Sequence, residues 1–124
     1  MKNWNDIYQS VKAGEMDEKL KMMGCEDMAA GRGRAAHVLE SFKECFGTKE
    51  DTPVMLCSAP GRTEICGNHT DHQHGHVLAA AVKLDFRACV AVIGTQTVRV
   101  QSEGWPMTTV DLSDLKVQEA EKET

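Results

Sequence analysis

Apolar and polar positions change their rhythm partway along the chain. Trp4, Ile7, Tyr8 and Val11 recur at helical spacing, and Gly14 ends that stripe. Asp17-Glu18 opens a second helical turn or two, with Leu20 and Met23 inward and Gly24 as the stop. The strongest helical pattern runs over about 33–46. Ala35, Val38, Leu39, Phe42 and Phe46 form one face, and Glu40, Lys43 and Glu44 the other. Gly47 is placed to stop it, and Thr48 to Pro53 is a polar loop.

From Val54 onward the pattern turns strand-like. Val54 to Ala59 is a short apolar run closed by Pro60-Gly61, and Thr63 to Cys66 a second short strand closed by Gly67. Asn68 to Gly75 is a polar, His-rich loop. His76 to Val82 fits strand or helix by periodicity alone. Arg87 to Ile93 is rich in β-formers, and Thr97 to Ser102 alternates, so the two are expected to pair as a hairpin across Gly94-Thr95-Gln96. Thr108 to Leu112 adds one more strand, and Ser113-Asp114 would cap a further helix. Helices followed by a mostly antiparallel sheet make an α+β fold. Two segments are expected: a helical stretch over 1–30 and a mixed domain over 31–124.

Composition narrows the function. The chain has 124 residues, 41% apolar and 27% charged, with a net charge of −5. That charge argues against a nucleic-acid partner, because neutralising phosphates takes clustered Lys and Arg. No apolar run reaches the roughly 18–20 residues of a spanning helix, so no membrane partner is expected. The N-terminus lacks the apolar core of a signal peptide, which points to the cytoplasm. Five cysteines without a C-x-x-C pair predict no disulfide framework and no cysteine zinc site.

The chemistry is concentrated between Ser58 and His76. This stretch packs Arg62, Glu64, Asn68, Asp71 and four histidines between two β-like segments, where a scaffold can hold a loop rigidly. Arg62 offers a planar fork of donors and a permanent charge, suited to developing negative charge on a phosphoryl group. Asp71 offers acceptors for vicinal hydroxyls, and Asn68 and His69 can both donate and accept. Singly, each residue has a plainer explanation: a surface arginine, or an aspartate capping a turn. Together they resemble a hydroxyl-reading site. His69, His72, His74 and His76 with Asp71 would also supply enough ligands for zinc. Their spacing fits none of the usual zinc signatures, so no native metal site is expected.

The same residues resemble the galactokinase branch of the GHMP kinases, whose signature is approximately A-P-G-R-V-N-L-I-G-E-H-T-D-Y. The chain keeps Ala59, Pro60, Gly61, Arg62, Ile65, Gly67, His69, Thr70, Asp71 and Gly75. The resemblance covers roughly 31–112 and includes the helix ending in Phe46-Gly47. Two positions are exchanged: Glu64 stands where the family has Asn, and Asn68 where it has Glu. A bacterial G-R-T-E-I-x-G-N-H-T-D-H form has this arrangement.

The resemblance implies a partial GHMP-kinase N-terminal domain, of the ribosomal protein S5 domain 2-like fold. It implies a sugar kinase that moves the γ-phosphoryl of ATP, with Mg2+, to the anomeric hydroxyl of galactose or a related sugar. Arg62 would be catalytic, and Asn68, His69, Thr70 and Asp71 would bind the sugar. The family's Gly/Ser-rich phosphate loop, its catalytic Asp and its C-terminal domain have no counterpart in these residues. The chain is therefore expected to be an N-terminal fragment that binds ATP and Mg2+ poorly, if at all, and is inactive alone. Gly31-Arg32-Gly33-Arg34 does not substitute for the phosphate loop. The competing readings are a non-catalytic sugar-binding or regulatory relative, and a His-rich metal-binding module.

Overall fold

The computed structural model describes residues 1–67 and 75–116. The chain divides into two compact units, 1–92 and 93–124. The first unit holds β1 (Lys2–Asn3), α1 (Trp4–Ala13), α2 (Asp17–Met22), α3 (Met28–Phe46), β2 (Pro53–Cys66) and β3 (Leu78–Val90). The second holds β4 (Thr97–Val100) and β5 (Thr108–Asp111). Helices precede antiparallel sheets, as the α+β expectation has it.

α1 starts where Asn3 accepts a hydrogen bond from the Asp6 amide at 2.7 Å, and stops at Gly14. α3 is longer than its apolar stripe predicts. Asp27 accepts from the Ala30 amide at 3.1 Å and starts the helix at Met28, five residues before the expected 33. The first turns carry small residues, Ala29, Ala30 and Gly31, which leave no periodic signal.

The core of the first unit lies between α1, α3 and the start of β2. Trp4, Ile7, Val11, Ala35, Ala36, Leu39 and Val54 are buried together, with Tyr8, Met16, Phe42, Leu56, Cys89 and Ala91 packed against them. The Trp4 indole Nε1 donates to the Leu39 carbonyl at 2.8 Å, so its polar edge is satisfied inside the core. The two residues of β1 pair with Val54 and Pro53 and bring the N-terminus onto the sheet.

Two strand expectations are corrected and one open reading is settled. Pro60-Gly61 does not end a strand: β2 runs unbroken from Pro53 to Cys66. Pro60 is tolerated because β1 pairs only with residues 53 and 54, leaving β2 an edge strand on that side. Of the stretch His76–Val82, ambiguous by periodicity, Leu78–Val82 joins the later apolar run to make β3. Finally, Thr97–Val100 pairs with Thr108–Asp111, while β3 pairs with β2. β4 and β5 match residue for residue from Thr97↔Asp111 to Val100↔Thr108 and both belong to the second unit, whereas β3 ends at Val90 in the first. Past β5, Ser113 and Lys116 amides donate back to the Asp111 and Asp114 carboxylates. Successive turns, not a helix, occupy 112–116.

Candidate functional site

The motif-bearing stretch is built on an arm made by β2 and β3. Its two strands are in simple register from Met55↔Val90 to Pro60↔Asp85. Pairing resumes at Arg62↔Ala81, so Gly61 alone stands opposite Val82, Lys83 and Leu84. A side chain at Gly61 would place its Cβ 3.0 Å from Val82 Cγ2 and 3.3 Å from the Leu84 carbonyl oxygen. Glycine is what lets β2 pass this bulge, and bulges re-aim the residues beside them. Arg62 is the next residue and is exposed. A second irregularity, at Ile65, falls between Glu64↔Ala79 and Cys66↔Leu78.

β2 then leaves the sheet at Gly67, which has φ +104°. Across from it, the chain returns through His76 and Val77. Of the residues expected to form the site, Arg62 lies on β2 beside the bulge. Asn68, His69, Thr70 and Asp71 lie outside the described residues, as do His72 and His74. Among the described residues no three His, Cys, Asp or Glu side chains converge as a metal ion would require.

The residues that anchor this arm are ones the motif does not contain. Asp85 and Arg87 project from β3 to the side covered by α3 and are almost fully buried, at 4% and 3% exposure. Arg87 Nε donates to Asp85 Oδ2 at 3.0 Å, and Ser58 Oγ on β2 donates to the same oxygen at 2.7 Å. Arg34 Nη1 on α3 donates to Asp85 Oδ1 at 2.7 Å, and its Nη2 to the Asp85 carbonyl at 3.1 Å. Arg87 also donates to the Gly31 carbonyl at 2.8 Å and to the Cys25 sulfur at 2.6 Å. Burial pushes the Asp85 carboxyl up, but the bonds from Ser58, Arg87 and Arg34 outweigh it and hold the group well below the usual carboxylate range. The sequence does carry a signal for this cluster: opposite charges at i and i+2 within an apolar strand must share one face.

Gly31-Arg32-Gly33-Arg34 lies inside α3. Arg32 is paired with Asp17, and Arg34 with Asp85. This stretch is a helix face engaged in ion pairs, which removes it as a phosphate loop. A depression of about 170 Å3 lies between the start of α3 and β3, lined by Cys25, Glu26, Ala30, Arg34, Lys83 and Asp85. No residue from Ser58 to Gly67 lines it. No helix among the described residues is long and apolar enough to cross a membrane.

The family model of the galactokinase galactose-binding signature matches residues 40–92, the C-terminal end of α3 and the whole β2–β3 arm. A galactokinase of Lactiplantibacillus plantarum is 33% identical over 84 residues, covering 65% of this chain and 21% of the relative. One of Bacillus subtilis is 36% identical over 64 residues, covering 52% and 16%. The Homo sapiens galactokinase is 41% identical over 49 residues, covering 40% and 12%. The chain spans about a fifth or less of the length of these curated relatives. No solved structure matches it. Over this stretch the chain is thus similar to galactokinases, and the galactose-binding signature it matches is carried on the end of α3, β2 and β3.

Proposed function

We propose that this chain is the sugar-gripping, N-terminal part of a galactokinase-type kinase. The observation that carries this reading is the match of residues 40–92 to the galactose-binding signature, together with the tight backbone approach at Gly67, where β2 ends within that signature. Asn68, His69, Thr70 and Asp71 line the sugar pocket. Their donors and acceptors pair with the hydroxyls of galactose or a close relative. In the complete kinase, Arg62 faces the transferring phosphoryl group and stabilises its charge as the anomeric hydroxyl attacks the γ-phosphorus of Mg-ATP. The helical stretch and the arm are then part of a GHMP-type N-terminal domain working in the cytoplasm.

The chain by itself does not turn over ATP. Phosphoryl transfer depends on several groups clamping both substrates at once. Gly31-Arg32-Gly33-Arg34 is helical and ion-paired, and Arg62 with a sugar loop makes only part of the clamp.

Titration of galactose into the isotopically labelled chain, followed by amide resonances, tests the reading. Saturable shifts are expected at Arg62 and at Gly67 and Gly75, where the signature meets the strands. Asp71→Ala should weaken binding at least tenfold. Absence of saturable shifts with galactose, N-acetylgalactosamine or a uronic acid would remove the sugar site. Galactose-dependent ATP turnover by the purified chain would overturn its inactivity.

A further inference from the structure

The β2–β3 arm has a weak hydrophobic code for its own register. Val54 and Leu56 face α3, but Met55, Cys57 and Ala59 on the opposite face are also apolar. On β3, Cys89 faces inward while Phe86, Ala88 and Val90 face away. Beyond the bulge the strand reads Ala79-Ala80-Ala81, the same small side chain on both faces. In most sheets a slip of one residue exchanges the buried set for the exposed set and is penalised heavily. Here a slip would largely exchange apolar for apolar. Yet the place of Arg62 along the arm, and the pinch at Gly67, depend on one particular register.

Three polar side chains break the degeneracy. Ser58 lies directly opposite Arg87, and Asp85 directly opposite Pro60. Ser58 Oγ and Arg87 Nε converge on one oxygen of Asp85, at 2.7 and 3.0 Å. A shifted pairing would separate Ser58 from Asp85 or leave a buried charge without its partner, which costs far more than exchanging two apolar groups. Fixing register is also the best-attested use of a buried polar cluster. The cluster sits where register matters most. Asp85 is the last paired residue before the bulge, and Arg62↔Ala81 is the first pair after it. Lys83, inside the bulge, is ion-paired to Glu26 at the surface. Arg34 and the Gly31 carbonyl then tie the cluster to α3.

We propose that Asp85, through Ser58 and Arg87, is a positioning residue for the sugar site. It selects the β2–β3 register, which puts the bulge opposite Gly61 and thereby sets Arg62 and the Gly67 neck in place. It touches neither sugar nor phosphate. The inference rests on reading this arm as the sugar-gripping element, and it adds to that element a residue that lies beyond the Ala59–Gly75 motif.

Ser58→Ala, Ser58→Thr, Asp85→Asn and Arg34→Gln in the 124-residue chain test it by two measurements, amide hydrogen exchange and galactose titration. Ser58→Ala and Asp85→Asn should speed exchange at residues 63–66 and 78–81 at least tenfold. Exchange in α1 should stay within twofold, and galactose affinity should fall at least tenfold. Ser58→Thr keeps the hydroxyl and should restore both. Arg34→Gln loosens α3 from the strand and should lower the melting temperature while leaving exchange at the neck within twofold of wild type. If Asp85→Asn does not fold, the Ser58 pair decides the matter. Wild-type exchange at the neck in folded Ser58→Ala would overturn the proposal, as would uniform acceleration across α1 and the arm alike. Failure of the wild-type chain to bind galactose would sink the sugar reading, and the exchange comparison would still decide whether Asp85 and Ser58 hold the register.

Discussion

Gly67 and His76 approach so closely that a Cβ on Gly67 would lie 2.6 Å from the His76 carbonyl oxygen and 2.9 Å from Val77 Cα. Both contacts are with backbone, which cannot rotate away. The φ of +104° adds a second penalty, because side chains rarely adopt it. Gly67→Ala therefore has to widen the neck at which β2 leaves the sheet. The expected cost is more than about 1 kcal/mol, the range for alanine forced into positive φ. Urea unfolding of the variant checks this. Gly47→Ala is the natural comparison: it also has positive φ, but its Cβ would meet nothing within 4 Å, so it should cost less.

The helical half has a simpler energetic centre. Leu39 is fully buried and its carbonyl accepts from Trp4 across the α1–α3 contact. Leu39→Ala removes packing from both helices and from Val54 beneath them. Buried Leu→Ala changes cost about 2–5 kcal/mol. Small domains have only about 5–15 kcal/mol in total, so this variant should lose a large share of its stability. Denaturant midpoints would show it. A shift smaller than that of a surface change such as Glu44→Ala would mean that the helices are not packed through Leu39.

The helices were legible in the sequence because their stripes are periodic and bounded. Trp4, Ile7 and Val11 are buried together, as their spacing requires. The start of α3 was not legible, since Ala29 to Gly33 lacks large apolar residues; the signal there is Asp27 as a cap. Glycine and proline are ambiguous as strand stops. At Gly61 the glycine serves a bulge inside a continuous strand, a choice that depends on where β3 lies. The pairing of β4 is ambiguous for a related reason. Proximity in sequence favours a hairpin over Gly94, whereas Thr97–Val100 finds its partner further on, in Thr108–Asp111. The candidate site was legible as a motif only. Arg62 is placed beside the bulge, but the motif says nothing of Ser58, Asp85 and Arg87, because their partnership exists only once the strands are in register.

The cysteines should differ sharply in reactivity. All five carry free thiols, with Cys45 and Cys66 exposed and Cys25, Cys57 and Cys89 partly covered. Burial, with a smaller contribution from Cys57, pushes the Cys89 thiol up to about 11. The thiolate is the reactive form, so Cys89 is nearly inert at pH 8. Timed alkylation with iodoacetamide, read by peptide mass spectrometry, should modify Cys45 and Cys66 first and Cys89 last. Early labelling of Cys89 would mean that the inner face of β3 opens to solvent.

The outer face of the arm makes a different prediction. Met55, Phe86 and Val90 are 51%, 84% and 48% exposed on neighbouring strands. An apolar sheet face in water favours association. Phe86→Thr puts a β-branched strand former in place of the largest apolar group on that face. Light scattering should show slower association of the variant, with its melting temperature changed little. Equal association rates would place the cause elsewhere on the chain.

Asp85 links stability to pH with a definite sign. A free aspartate carboxyl titrates near 3.8, and in the folded chain Asp85 titrates well below that. A carboxyl whose folded value is depressed adds stability that is fully present above its unfolded value and is lost as pH falls toward the folded one. The contribution should therefore be constant from pH 7 to about pH 5 and shrink between about pH 4 and pH 2. Asp85→Asn removes it at every pH and leaves Arg87 buried without its carboxylate, at a cost of about 3–5 kcal/mol near neutrality. The gap in melting temperature between wild type and variant should be widest at pH 5–7 and narrow at pH 3. Asp17 and Glu26, which are also held below their usual range by Arg32 and Lys83, titrate in both proteins and cancel in that difference. Melting curves at pH 7, 5, 4 and 3 provide the comparison. A gap that stays constant down to pH 3 would mean that the Asp85 carboxylate owes its place in the fold to shape alone, with no net contribution from its charge.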